Sequence, residues 1–197
     1  MTYKDDFKNL DNWLIELEEG GSITAKNNKL VLDVPKGCTV WFRHELIGPV
    51  MIEYEATAVA KGGLNDRVSD LNCFWMSQDD PSKVKRDGAF ASYDTLRCYY
   101  VGLGGNANTT TRFRRYIGQA GNRPLLPEHD MSAPEFLLKP NAKQKLRIVA
   151  KGKHIEYARD GTTIFTFDDP EPYLRGWFGF RTVASHLEIQ KFRVLQG

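Results

Sequence analysis

The sequence predicts an all-β sandwich of two stacked antiparallel sheets, and three observations predict it. Ten short runs alternate apolar and polar side chains with the period of a strand. They are separated by turn residues rather than by amphipathic helical stretches. No linker rich in Ser, Gly or Pro, no internal repeat and no low-complexity tract divides the 197 residues. An alternating run buries one face, and ten of them need a second sheet to bury it against. The runs lie at 39–43, 50–58, 71–77, 96–103, 109–117, 146–150, 154–158, 162–167, 177–181 and 187–194. A single domain over residues 1–197 holds them all, because β-sandwiches reach about 200 to 250 residues around one core.

Turn residues fit between the runs. Arg159-Asp160-Gly161 joins 154–158 to 162–167 as a hairpin, because Gly supplies positive φ without steric cost. Asn27-Asn28, Lys61-Gly62-Gly63 and Gly104-Gly105-Asn106 mark further turns. Residues 118–141, with Pro124, Pro127, Pro134 and Pro140, read as a long surface excursion, and long ordered loops in compact domains are disproportionately functional.

Composition excludes several classes. With 41% hydrophobic and 26% charged residues the chain is neither disordered nor membrane-spanning, and no apolar run approaches the roughly 18 residues a span needs. A net charge of +2 is too small for the dense basic face of a nucleic-acid binder. Cys38, Cys73 and Cys98 form neither a CxxC pair nor an even disulfide framework, and read as buried free thiols. Met1 to Lys4 lack the basic and then apolar pattern of a secretory signal. Motifs for phosphate loops, nucleophile elbows and zinc are missing.

Several segments carry a family resemblance. They are Asp6-Phe7 with Trp13, Lys29-Leu30-Val31-Leu32, Gly176-Trp177-Phe178-Gly179-Phe180-Arg181 and Lys191-Phe192-Arg193-Val194. These resemble the first and last strands of concanavalin A-like and laminin G-like sandwiches. The middle, with Ser69 to Met76, Tyr99-Tyr100-Val101-Gly102 and Asn108 to Tyr116, resembles the YesU-like bacterial families of uncharacterised sandwich proteins. The resemblance implies a concanavalin A-like jelly roll, a pectin or rhamnogalacturonan context, and a secreted or periplasmic address. Jelly-roll polysaccharide lyases are similar in architecture, but their Arg-x-Glu-x-Arg strand and Gln-Ile-His motif are missing here.

Strand parity gathers the candidate chemistry. In 109–116, Thr111 and Phe113 point to the core, leaving Thr110, Arg112, Arg114 and Tyr116 on the other face at about 7 Å per step. A guanidinium fork suits a uronate carboxylate, and the same residues could instead pair with acidic neighbours on a solvated face. Phe178 and Phe180 read as core, which places Trp177, a sugar-stacking candidate, and Arg181 opposite them. His186 follows at a position suited to a general base, or to an ordinary surface histidine; His44, His129 and His154 carry less. Tyr100 shares parity with Gly102 and Gly104, which leave room for a ligand, and Asn72 and Asn106 are candidates for sugar hydroxyls.

Three functions follow. The first is a polysaccharide lyase acting by β-elimination on a uronate-containing polysaccharide. Arg112 and Arg114 would neutralise the carboxylate, His186 or Tyr100 would remove the C5 proton, and Tyr116 would protonate the leaving oxygen. The second is a non-catalytic glycan-binding module using Trp177, Tyr100 and the arginines. The third is a glycoside hydrolase built on Glu53 and Glu55, whose class needs carboxylates about 5 to 9.5 Å apart. Asp66, Asp70, Asp168 and Asp169 offer oxygens for a structural calcium, with capping and turns as their default roles.

Overall fold

The computed structural model describes all of residues 1–197. Its strands are β1 (Thr2–Asp5), β2 (Trp13–Leu17), β3 (Ser22–Lys26), β4 (Lys29–Phe42), β5 (Leu46–Ile47), β6 (Val50–Ala58), β7 (Leu71–Ser77), β8 (Arg97–Gly104), β9 (Thr110–Ile117), β10 (Asp130–Met131), β11 (Lys143–Lys151), β12 (His154–Arg159), β13 (Thr162–Asp168) and β14 (Arg175–Gln196). All pairings are antiparallel. No helix is long and apolar enough to cross a membrane.

The hydrogen-bonded ladder curls into two layers because β4 and β14 are long enough to serve both. In the front layer the order is β2, the second half of β4, the first half of β14, β7, β8, β9 and β10. In the back layer it is β3, the first half of β4, the second half of β14, β6, β11, β12 and β13, with β1 beside the last residues of β14. This is the jelly-roll sandwich that the sequence predicts. Trp75, Tyr99, Phe113 and Phe180 from the front and Ile52, Tyr54, Ile148 and Phe192 from the back meet in one continuous core.

Two bulges let β14 bend from one layer to the other. At Ala184, with φ of 46°, the register with β4 shifts between Val183 and Ser185, this one residue facing Pro35 and Lys36, and an extra residue at Lys191, with φ of 55°, shifts it with β6. Each irregularity exchanges the inward and outward parity of β14. Phe178 and Phe180 point inward before the first bulge, Leu187 and Ile189 after it, and Phe192 and Val194 after the second. The runs at 177–181 and 187–194 are therefore one strand whose alternation is interrupted while its ladder continues.

The hairpin after β12 turns on Asp160 and Gly161, with φ of 52° and 83°, the two positive values of a type I′ turn. The excursion at 118–141 contains two single 3-10 turns and β10. All three cysteines are free and buried, and burial pushes the Cys73 thiol up to about 12.

A second, smaller apolar cluster lies on the outer face of the front layer. Trp41, Phe74, Cys98 and Tyr116 of the sheet pack against Tyr93 and Leu96 of the segment between β7 and β8. Buried Glu16 fastens this segment down. Its carboxylate accepts from the Trp41 indole (2.8 Å), the Tyr93 hydroxyl (2.7 Å) and the Arg86 backbone N–H (2.8 Å).

Candidate functional site

The cross-strand registers set two parallel rows on this outer face. Arg181 of β14 stands opposite Asn72 of β7, Asn72 opposite Gly102 of β8, and Gly102 opposite Arg112 of β9. One step along, Phe74 stands opposite Tyr100 and Tyr100 opposite Arg114. A polar row thus runs beside an aromatic one, with neighbouring strands about 4.8 Å apart. Gly102 leaves the Tyr100 ring room to cross it: a Cβ there would lie 2.6 Å from the Tyr100 hydroxyl.

The rows floor a pocket of about 180 Å³. Phe90, Tyr93 and Arg123 wall one side, and the turn at 104–110, with Asn106, forms the opposite lip. That turn holds Gly104, Asn106, Ala107 and Asn108 all at φ between 51° and 66°. Asn108 fastens it, donating to the Leu138 carbonyl (3.0 Å) and accepting from the Leu138 N–H (2.8 Å).

Charge is unevenly matched. Arg112 makes a forked ion pair with Asp130 (2.8 and 3.2 Å), Arg123 pairs with Asp94 (3.1 Å), and Asp70 is taken by Arg67 (2.7 Å). Arg114 and Arg181 have no carboxylate within the 4.0 Å of an ion pair. Arg114 donates to the Arg123 carbonyl, and burial together with the charges of Arg123 and Arg112 lowers its pKa from the ordinary arginine value.

Arg181 is only 3% exposed. Its Nη1 donates to the Gly88 carbonyl (2.6 Å) and Thr39 Oγ1 (3.3 Å), and its guanidinium lies 4.5 Å from the Tyr93 ring centroid. Its Nη2 has no partner. Neighbouring Asn72 donates to Asp70 Oδ1 (3.3 Å), which fixes its amide orientation and leaves its own Oδ1 unpaired. Both atoms are buried, the Arg181 Nη2 pointing toward Gly37, where a Cβ would lie 3.0 Å from it, and each costs about 1–3 kcal/mol while unmet.

Burial raises the pKa of Tyr100 well above the ordinary phenol and that of Tyr116 to about 12, so both hydroxyls keep their protons at neutral pH. Their rings are 5.4 Å apart.

Of the residues singled out from sequence, Arg112, Arg114, Tyr100 and Tyr116 line this pocket, as do Asn72, Arg181 and Asn106. His186 and Trp177 do not. Trp177 packs against the Trp41 cluster on the same outer face. His186 corrects the expectation of a nearby base: it lies beyond the Ala184 bulge on the back layer, its Nδ1 2.7 Å from Asp66 Oδ1. Sequence reasoning missed Phe90, Tyr93 and Arg123, which come from segments without periodicity. The proline-rich excursion was the only signal for Arg123.

Glu53 and Glu55 share the outer face of the back layer, where each is engaged by cations. Arg193 binds Glu53, while Lys191 (3.0 Å) and Gln190 (2.6 Å) bind Glu55. Burial raises the Glu55 pKa, but those hydrogen bonds and the charges of Lys191 and Lys143 outweigh it and hold the carboxyl below its ordinary value, opposite to what a general acid requires. Asp66, Asp70, Asp168 and Asp169 do not converge. Asp169 accepts from the Tyr99 hydroxyl and Arg115, both at 2.7 Å, tying the two layers together at β9.

A family model matches residues 32–192, spanning both layers and every strand that floors the pocket. The chain belongs to the DUF6250 family, a domain of unknown function. No functionally curated protein matches its sequence. Among solved structures, this DUF6250 protein is similar to a protein of unknown function with a galectin-like fold from Bacillus subtilis (TM-score 0.72, 15% identity, 98% of this chain and 94% of that one). It is also similar to the carbohydrate-binding module CBM66 from Bacillus subtilis (TM-score 0.65, 12% identity, 94% and 96%). A third similar structure is the exoplasmic/lumenal domain of VIP36 bound to Ca2+ and Man3GlcNAc (TM-score 0.63, 12% identity, 96% and 85%). At such identities the likeness establishes the fold.

Proposed function

We propose that this DUF6250 protein is a lectin-type domain that recognises an acidic, uronate-containing saccharide in the arginine pocket of its front layer. One observation carries the reading: two guanidiniums without a counter-ion, one of them buried beside an unpaired amide oxygen, face a row of aromatic rings. A carboxylate pairs with the half-buried Arg114 and is drawn by the buried charge of Arg181 behind it, and the carbon face of the ring packs on Tyr100. Similar folds in a carbohydrate-binding module and a glycan-bound lumenal domain support the saccharide class. The resemblance to YesU-like proteins supports pectin or rhamnogalacturonan as the source, and with it a secreted or periplasmic address and a single-domain chain.

A second reading, β-elimination, is favoured by the two protonated tyrosines beside the arginines. Arg114 and Arg181 would neutralise the uronate carboxylate and acidify the C5 proton. Tyr100, as phenolate, would take that proton, the C4–O4 bond would break to leave a C4–C5 double bond, and Tyr116 would protonate the departing oxygen. Burial opposes the Tyr100 phenolate, and no histidine stands in the pocket to replace it, so binding is the better-supported role.

Calorimetric titration with galacturonate and glucuronate oligosaccharides, and with neutral oligosaccharides of equal length, tests the first reading. Saturable binding of the acidic set alone is expected, and equal binding of the neutral set overturns it. Ultraviolet absorbance of unsaturated uronate in the same mixtures tests the second, which fails if bound saccharide stays intact.

A further inference from the structure

Resting on the acidic-saccharide reading, we infer that the pocket takes the end of a saccharide chain rather than an internal stretch. Exposure changes steadily across the polar row. Arg181 is 3% exposed and Asn72 4%, whereas the Arg112 side chain, two strands further on, is 28% exposed. The row is therefore shut at β14 and open at β9.

The closed end is built from backbone and rings. The Gly88 carbonyl and the Tyr93 ring sit on Arg181, and Val183 stands beside it. Gly37 and Gly88 make that closure possible. A Cβ on Gly37 would come within 2.1 Å of the Gly88 carbonyl, and one on Gly88 within 2.4 Å of the Glu18 nitrogen. No chain can continue past Arg181 in that direction without displacing the segment that Glu16 holds down through Trp41 and Tyr93.

Size agrees. At about 180 Å³ the space falls below the roughly 300–1,000 Å³ that enclose a drug-sized ligand. That is room for one sugar ring. The terminal uronate turns its carboxylate toward the closed end, where Arg181 supplies a buried positive charge and Arg114 a half-buried guanidinium without a counter-ion. The rest of the chain leaves over β9, past Arg114, which has no counter-ion, and past Arg112 and Arg123, which Asp130 and Asp94 already pair.

Native mass spectrometry of the protein with galacturonate oligomers of defined length, the longest spanning several times the pocket, counts proteins bound per saccharide. One protein per molecule at every length, with free galacturonate or glucuronate competing completely, is the expected result. Several proteins on one long oligomer, with no competition from the monosaccharides, overturns end-on binding and leaves the acidic-saccharide reading standing. Failure of every acidic saccharide to bind removes both.

Discussion

The outer faces of the two layers carry similar side chains and treat them differently. On the back layer the charges cancel in cross-strand pairs: Glu53 with Arg193, Glu55 with Lys191 and Lys143, Arg147 with Glu156 (2.7 Å), and Lys29 with Glu188 (2.5 Å). On the front layer two arginines go without counter-ions, and a buried guanidinium nitrogen and amide oxygen go without partners. Proteins rarely leave buried polar atoms unmet. The front face is thus the one on which unmet charge and unmet polar atoms coincide with a pocket.

The strongest way to break this comparison is Arg181→Met. Removing the charge behind the pocket lowers affinity for a uronate oligosaccharide about 10-fold by calorimetry, about 1.4 kcal/mol. The change also strands the Gly88 carbonyl and removes the contact with the Tyr93 ring, so the thermal midpoint falls as well. Lost stability with intact affinity would make Arg181 a structural residue. The corresponding change on the back layer, Arg193→Met, removes an exposed pair worth about 0–1 kcal/mol and leaves affinity unaltered.

Glu16→Ala tests what holds the pocket wall. It strands the Trp41 indole N–H and the Tyr93 hydroxyl at about 1–3 kcal/mol each, so urea denaturation shows a loss of about 2–6 kcal/mol. Ligand protects the wild type from proteolysis within 78–96 more than it protects the variant.

The Asp66–His186 pair sharpens the comparison through pH. Backbone N–H groups of Lys61 and Gly63, then His186, hold the Asp66 pKa at about 2, below its ordinary 3.8. A lowered folded-state pKa stabilises above the unfolded value, so this contribution is complete above pH 3.8 and is lost as pH falls through about 2. Asp66→Asn removes that acid limb from the stability curve and leaves saccharide affinity at neutral pH unchanged.

The smallest effect concerns the pocket lip. Ala107 sits at φ of 57°, where an L-residue is disfavoured by about 1–2 kcal/mol, so Ala107→Gly raises stability by about 1 kcal/mol in denaturant titration. A fall instead would mean that the lip is not strained at this residue.

Alternation made much of this legible. The run at 50–58 is β6, which buries one face against the core without interruption, and that at 71–77 is β7, which buries its second face under the Trp41 cluster. Parity within β8, β9 and the first half of β14 put Tyr100, Arg112, Arg114 and Arg181 on one side. Their assembly into a pocket, however, depends on Tyr93 and Arg123, which loops deliver through long-range hydrogen bonds rather than periodic spacing. His186 shows where parity fails. A single alanine in a left-handed conformation, which nothing in the local sequence signals, sends it to the other layer.

The length of β14 also has a bearing on how the protein is made. This one strand pairs with β1, β4, β5, β6 and β7, so it is the spine of both layers, and it spans residues 175–196. A growing chain that has released everything before it holds the β2–β4–β3, β7–β8–β9–β10 and β6–β11–β12–β13 groups without the strand that joins them. Such a nascent chain exposes strand edges and half of the core until β14 emerges, and closure then depends on contacts of large sequence separation, the slow kind. Completion of the sandwich and completion of the arginine pocket are therefore one late event, because Arg181 arrives with that same strand.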